Sequence, residues 1–168
     1  EKSQIIDVLK NIKSENKVVA MIAPSIVGQF KGTLYQLKTA ILKAGFSDVY
    51  EVALGADTTT RKEAREFEER MANGEPFMTT SCCAGYNQLI KKHLPEIKPF
   101  VSETKTPLFY TAEIVKNQYP DAVLVFVSPC VAKRAEAYDN SNIDFVMNCE
   151  ELGAWFIAKK IEISNCEE

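Results

Sequence analysis

Two short, uninterrupted apolar segments most constrain the fold of this chain. Residues 18–23 (VVAMIA) and 122–127 (AVLVFV) contain no polar side chain. Runs of this length are typical of strands that are buried on both faces, which occur in parallel sheets covered by helices. We therefore expect an α/β fold built around these two strands.

Helical periodicity separates the apolar segments along the rest of the chain. Further strands are predicted at 48–54, 76–80 and 143–147, and helices at 2–14, 33–44, 60–72, 85–93, 106–118 and 148–160. This alternation predicts a three-layer, doubly wound, mostly parallel sheet of about five strands with helices on both faces. Residues 94–105 are interpreted as a long surface connection. The length of 168 residues predicts a single domain, 1–168.

Composition and charge exclude several classes of function. The chain carries 20 basic and 23 acidic side chains, which leaves no basic excess for a nucleic-acid backbone. No apolar run reaches the roughly 20 residues that a membrane span requires. Five cysteines without a secretion signal indicate a reducing compartment. We therefore expect a cytoplasmic protein with no nucleic-acid partner and no membrane span.

Three of the cysteines follow predicted strands. The strand ends lead into Ala23-Pro24-Ser25, Gly55-Ala56-Asp57, Ser81-Cys82-Cys83 and Ser128-Pro129-Cys130. Because ligands bind outside the carboxyl ends of parallel strands, we expect these segments to share one edge of the sheet. Each cysteine there precedes a helix, and a helix N-terminus favours the thiolate form that binds metal.

The spacing of these thiols leaves the identity of a metal open. Soft thiolate ligands indicate zinc, copper(I) or iron–sulfur. The sequence contains neither the closely spaced cysteine pairs of a structural zinc site nor a Cys-x-x-Cys redox motif. The residues alone thus predict a thiolate-lined pocket, best matched by an incomplete iron–sulfur site. Lys133, three residues after Cys130, is placed to hydrogen-bond an anion there.

Two motifs in this region resemble a known family. Residues 80–86 (TSCCAGY) and 128–136 (SPCVAKRAE) are similar to the first two cluster-binding motifs of the catalytic domain of the FeFe, or iron-only, hydrogenases. Further similarity lies, in order along the chain, at residues 22–25, 55–57, 63–66, 101–102 and 105–107. The resemblance implies the first half of a catalytic domain that reversibly reduces protons to dihydrogen. It also implies the H-cluster, a 4Fe–4S cluster joined to a di-iron unit.

The resemblance further implies roles for individual residues. It makes Cys83 and Cys130 ligands of the 4Fe–4S cluster and Cys82 the thiol that hands protons to the di-iron unit. Lys133 would hydrogen-bond a cyanide ligand of that unit. The implied proton path continues through Glu63, Ser102 and Glu66, and the implied lining of the di-iron pocket is Ala23, Pro24 and Ser25. Electrons would come from ferredoxin or a ferredoxin-like domain.

Departures from the family pattern keep a second function open. The family's third motif, which supplies the other two cluster cysteines, has no counterpart up to Glu168. We therefore expect no complete cluster in this chain without the C-terminal half of the domain. Ser128 replaces a common Met, and Ala84 replaces a common Pro. The alternative is a non-catalytic iron–sulfur protein, either a hydrogen or redox sensor or a cluster-assembly factor.

Structural roles are alternative explanations for several of these residues. Thr60 and Glu63 fit a capping box at a helix start, and Glu66 fits a solvated helix face. Cys149 is expected to pack in the first turn of the last helix, and Cys166 to lie exposed in the tail. Only tertiary contacts can decide between these roles.

Overall fold

The computed structural model describes residues 2–168, in which strands and helices alternate. The strands are β1 (Val18–Ile22), β2 (Asp48–Glu51), β3 (Val123–Val127) and β4 (Phe145–Met147). The α-helices are α1 (Ile5–Lys13), α2 (Leu34–Ala44), α3 (Ala53–Ala72), α4 (Ala84–His93), α5 (Pro107–Gln118), α6 (Lys133–Tyr138) and α7 (Cys149–Ala158). Short 3₁₀ helices lie at Pro24–Ile26, Pro95–Phe100 and Ile163–Asn165. The predicted α/β class is confirmed.

The strands form one parallel sheet in the order β2-β1-β3-β4. β1 and β3 pair at its centre, with Val18 opposite Val123, and β2 and β4 lie on the two edges. All five residues of β1 are buried, which explains the uninterrupted apolar run in the sequence.

Helices cover both faces of this sheet. The core on one face joins α1, α2 and α7 to alternate strand residues, among them Ala20 and Val125. The core on the other face joins α5 to the intervening residues, among them Val19 and Leu124. α3 packs along α5 on that side. Because successive strand residues point to opposite faces, the same apolar runs serve both cores, and the predicted three layers are confirmed.

Within residues 2–168 the sheet has four strands rather than the predicted five or so. In the segment 76–80 only Thr79 forms a bridge, with Val101, and this bridge lies outside the sheet. The residue paired with Thr79, Val101, directly follows the 3₁₀ helix Pro95–Phe100. The two prolines of this helix lack the N–H donors that hydrogen bonding between strands needs. The expected third strand is therefore a single contact between two connections, one on each side of α4.

The start of α3 also differs from the prediction. The helix begins at Ala53 rather than at Thr60, because β2 is shorter than expected. Gly55 lies in its first turn, where a Cβ would come within 2.0 Å of the carbonyl oxygen of Pro107. Gly55, predicted to follow the end of a strand, instead allows α3 and α5 to approach closely. Thr60 lies inside the helix, so the predicted capping box with Glu63 does not exist.

The C-terminal tail folds back onto the core. Cys166, predicted to be exposed, is only 7% exposed. The 3₁₀ helix Ile163–Asn165 turns the chain so that the Cys166 thiol donates to the carbonyl oxygen of Glu162 at 3.5 Å. The same sulfur lies 3.9 Å from Nζ of Lys43 in α2. The tail thus closes one end of the core beside α2.

Candidate metal and proton-transfer site

The first part of the site lies where the two central strands end. The backbone N–H of Ala23 donates to the carbonyl oxygen of Val127 at 2.9 Å, which extends the pairing of β1 and β3 by one residue. Ala23 is buried, whereas Pro24 and Ser25 follow with exposed side chains in a 3₁₀ turn. This segment therefore lines the carboxyl edge of the sheet, next to the loop that follows β3.

The loop after β3 brings Cys130 to the same edge. Ser128 is 3% exposed, and its hydroxyl accepts the backbone N–H of Cys130 at 3.1 Å. The Cys130 side chain is exposed, and the chain then enters α6 at Lys133. The hydroxyl of Ser128 thus fixes the turn that presents this thiol.

Cys83 caps the start of α4. Its Sγ accepts the backbone N–H of Tyr86 at 3.4 Å, in the position that an N-cap oxygen usually takes. Cys82 and Cys83 are both exposed. The helix predicted to follow these cysteines is present, although no strand precedes them.

The two cysteine-bearing loops adjoin each other. A Cβ at Gly85 would lie 3.9 Å from Sγ of Cys83 and 4.0 Å from the Cβ of Ala132. Lys133 reaches across, and its Nζ donates to the carbonyl oxygen of Cys82 at 3.2 Å. Exposed thiols that are far apart in sequence thus lie on neighbouring loops at one end of the fold.

An ion pair fixes Lys133 in this position. Its side chain is 16% exposed, and Nζ lies 2.5 Å from Oε2 of Glu136, which is 15% exposed. The other carboxylate oxygen of Glu136 accepts the hydroxyl of Thr106, the residue that caps α5. The i, i+3 spacing of Lys133 and Glu136 is a sequence signal for this pair, whereas the contact with Thr106 depends on the fold.

Glu63 lies beside the loop that carries Cys82. Its carboxylate accepts the hydroxyl of Thr80 and the backbone N–H of Ser81, each at 3.1 Å. The hydroxyl oxygen of Thr80 in turn accepts the backbone N–H of Cys82 at 3.4 Å. One hydroxyl group therefore separates Glu63 from the backbone of Cys82.

Glu66, one turn further along α3, is surrounded by donors. It accepts the hydroxyl of Ser102 at 2.6 Å, the N–H of Glu103 at 2.8 Å, and the hydroxyl and N–H of Thr104 at 2.8 and 3.2 Å. Arg70 adds an ion pair at 2.8 Å. Burial alone would raise the pKa of Glu66, but the hydrogen bonds outweigh it and lower that pKa to about 2. Glu66 is therefore a carboxylate at neutral pH.

These contacts exclude the simpler structural roles of both carboxylates. Glu66 does not lie on a solvated helix face, since its side chain is only 18% exposed. Glu63 caps no helix, because it lies inside α3. Glu63 instead binds residues 80–81, and Glu66 binds residues 102–104. The two segments are linked by Ser81, whose hydroxyl donates to the carbonyl oxygen of Thr104 at 2.5 Å. A polar network therefore runs along α3 from the Cys82 loop.

The remaining two cysteines are buried in the core. Cys149 packs as predicted, and burial followed by the charge of Glu150 raises the pKa of its thiol to about 11. Cys166 is buried beside α2. Both are therefore unsuited to join Cys83 and Cys130 as ligands. From residue 2 to residue 168, no three or more His, Cys, Asp or Glu side chains are grouped to hold a metal ion.

Known proteins with similar sequences are hydrogenases. The chain matches the family described as "Iron only hydrogenase large subunit, C-terminal domain" over residues 16–168. It is 30% identical to iron hydrogenase 1 of Clostridium pasteurianum over 198 residues, covering 100% of this chain and 34% of that protein. It is 29% identical to the periplasmic Fe hydrogenase large subunit of Nitratidesulfovibrio vulgaris, covering 80% and 37% respectively. The chain thus spans about a third of the length of these relatives.

Solved structures with a similar fold are hydrogenases as well. The FeFe-hydrogenase HydA(deltaEFG), solved to follow stepwise H-cluster assembly, superposes with a TM-score of 0.88 and 26% identity over 99% of this chain and 49% of that chain. A variant of the FeFe-hydrogenase HydA1 from Chlamydomonas reinhardtii superposes with a TM-score of 0.87 and 25% identity, again over 99% of this chain. Sequence and fold agree, and the chain belongs to the iron-only hydrogenase large subunit family.

Proposed function

We propose that this chain forms part of the catalytic site of an FeFe hydrogenase, which reversibly reduces protons to dihydrogen. The observation that carries the proposal is that the exposed thiols of Cys83 and Cys130 lie on neighbouring loops, which approach each other at Gly85 and Ala132. A third thiol, on Cys82, lies in the loop that Glu63 holds. The edge therefore combines soft metal ligands with groups that can transfer protons.

The residues at this edge fit part of an H-cluster. Cys83 and Cys130 would hold the 4Fe–4S cluster, because exposed thiolates are the ligands that such clusters take. Lys133, held between the two loops, would donate a hydrogen bond to a ligand of the di-iron unit. The lining of the di-iron pocket is assigned to Ala23, Pro24 and Ser25. When bound, the H-cluster supplies the redox-active iron at which protons and dihydrogen interconvert.

Further partners complete this site. A 4Fe–4S cluster takes four thiolates, of which Cys83 and Cys130 would supply two. The other ligands are assigned to the C-terminal half of the catalytic domain, and the electrons to ferredoxin or a ferredoxin-like domain. A cytoplasmic location stays a prediction, since one relative is named periplasmic. Among the helices of residues 2–168, none has the length and apolar character to span a bilayer.

Protons are proposed to pass along the chain's own polar groups. The exposed thiol of Cys82 would give up its proton at Sγ and regain one from the carboxyl group of Glu63, which would in turn take up a proton from solvent. Ser102 donates its hydroxyl to Glu66 at 2.6 Å. Because its pKa is about 2, Glu66 stays ionised at neutral pH and orients the Ser102 hydroxyl rather than storing a proton.

The test is Cys82→Ala in the full hydrogenase that contains this chain, matured with its cluster. We expect hydrogen evolution from a reduced low-potential dye to be nearly abolished with the iron content unchanged, because Cys82 moves protons and binds no iron. Cys166→Ala, which alters a thiol buried beside α2, is the control and should evolve hydrogen at the wild-type rate. Unchanged turnover in Cys82→Ala would contradict the proton-transfer role, and loss of iron would make Cys82 a ligand instead.

A second function is favoured by the state of Glu66. A carboxyl group with a pKa of about 2 rarely carries a proton at neutral pH, which disfavours rapid transfer through it. A non-catalytic iron–sulfur protein, either a hydrogen or redox sensor or a cluster-assembly factor, needs no such route. Wild-type protein that binds the cluster but evolves no hydrogen would support this alternative over the enzyme.

A further inference from the structure

A triad of partly buried side chains joins α6 to α5 at the candidate site. Lys133 opens α6, Glu136 lies one turn later, and Thr106 caps α5. Glu136 binds Nζ of Lys133 with Oε2 and the hydroxyl of Thr106 with Oε1. The Lys133 and Glu136 side chains are 16% and 15% exposed. This pair therefore differs from surface ion pairs, which flexible side chains and solvent leave weak.

The Thr106 end of the triad is fixed by the core. Its Oγ1 accepts the backbone N–H of Phe109 at 3.3 Å, as the N-cap of α5. Through Leu108 and Ala112, α5 in turn packs into the core on one face of the sheet. The position of the Glu136 carboxylate is therefore set by a core helix and not by a loop.

The direction of the Lys133 ammonium follows from this anchor. A lysine ammonium is a point charge with three donors on a flexible stem, and it has no preferred direction of its own. Glu136 occupies one donor at 2.5 Å, and the carbonyl oxygen of Cys82 occupies another at 3.2 Å. Two fixed acceptors leave the third N–H with a defined direction beside the cysteine-bearing loops.

We propose that Glu136 is the positioning residue for Lys133, aiming its remaining donor at a ligand of the di-iron unit. The inference rests on the proposed function, in which Lys133 makes that hydrogen bond. Glu136 itself touches no ligand and acts only through the lysine. Removing its charge leaves a partly buried ammonium uncompensated, and the flexible side chain then turns towards water.

The test compares Glu136→Gln with Lys133→Met in the full hydrogenase, loaded with its cluster. Glutamine keeps the size of the side chain but removes its charge, and its amide nitrogen can only donate, so whichever of Lys133 and Thr106 faces that nitrogen loses its acceptor. The readout is the infrared stretching band of iron-bound cyanide. We expect Glu136→Gln to shift this band in the same direction as Lys133→Met, with iron content unchanged and hydrogen evolution roughly tenfold lower.

A double variant separates positioning from a general structural role. Because Glu136 acts through the lysine, adding Glu136→Gln to Lys133→Met should shift the cyanide band no further. Thr106→Ser keeps the hydroxyl and should match wild type. Thr106→Val removes the hydroxyl and should shift the band in the same direction as Glu136→Gln, which provides a second variant if the first one folds poorly.

The neighbouring ion pair supplies a matched control. Arg134 in α6 binds Glu151 in α7 at 2.8 Å, and the two side chains are 8% and 14% exposed. Glu151→Gln weakens an ion pair of similar burial. The arginine of that pair lies in α6, directly after Lys133. The cyanide band of this variant should stay at its wild-type position.

Each contrary outcome has a distinct meaning. An unshifted band in Glu136→Gln and Thr106→Val would overturn the inference and leave the proposed function standing. An equal shift in Glu151→Gln would mean that losing any ion pair of α6 moves the band, and this outcome would also overturn the inference about Glu136. A wild-type protein that carries iron but lacks cyanide bands would remove both the proposed function and the inference.

Discussion

The carboxylates and the thiols of the candidate site differ in how far the chain itself satisfies them. Glu66 accepts four hydrogen bonds from neighbouring segments, which lower its pKa to about 2 against the effect of burial, and it also forms an ion pair with Arg70. Cys82, Cys83 and Cys130 are exposed on adjoining loops. The acidic side of the site is thus held in place by contacts within this chain, while the thiols on the sulfur side are exposed to solvent.

The largest effect on folding stability is expected when the Glu66 carboxylate is replaced. Glu66→Gln should lower the free energy of unfolding of the 168-residue chain by about 3 kcal/mol, because it removes the charge that accepts four hydrogen bonds and forms one of the two ion pairs of Arg70. Urea denaturation measures this loss. Glu68→Gln, an exposed neighbour on α3, is the control and should stay within about 0.5 kcal/mol of wild type. Equal losses in both variants would contradict the special status of Glu66.

The pH dependence sharpens the same comparison. The pKa of Glu66 is lowered from 4.5 to about 2 in the folded chain, so its contribution to stability is present above the unfolded value and is lost as the pH falls through the folded one. The stability difference between wild type and Glu66→Gln should therefore shrink by about 2 kcal/mol between about pH 5 and about pH 2, after allowance for solvent screening. A difference that does not change with pH would mean that Glu66 ionises equally in both states.

The smallest effect is expected on the sulfur side. Cys83→Ser should change the free energy of unfolding by less than about 0.5 kcal/mol, because the side chain is exposed and a hydroxyl can still cap α4. Cys149→Ser is the matched control, and it should cost about 1–2 kcal/mol because it buries a hydroxyl in the core. A large loss in Cys83→Ser would show that this thiol supports the fold by itself.

The central part of the fold follows directly from local sequence. The apolar runs at 18–23 and 122–127 predict the two central strands, because a strand covered on both faces needs no polar alternation. The predicted strand 48–54 was wrong at its end, because α3 already begins at Ala53 and its Gly55 packs closely against α5. The prediction that Cys166 is exposed was wrong, because the turn that buries this residue packs against α2 and contacts Lys43.

The site was less accessible to sequence reasoning than the fold. Local pattern placed Cys83 and Cys130 at helix starts, and the family resemblance singled out Glu63 and Glu66. The pattern gave no sign that Glu66 binds residues 102–104, because that contact joins segments distant in sequence. Long-range hydrogen bonds of this kind depend on the packing of α3 against neighbouring loops and have no local signature.

The pairing of β1 with β3 has a kinetic consequence. It joins segments that are far apart in sequence, with Val18 opposite Val123, and contacts of such high contact order form slowly. Before β1 and β3 pair, the loops that carry Cys83 and Cys130 are not held next to each other. A cluster held by both residues, as in the proposed function, would therefore bind only once the loops that carry them have folded together.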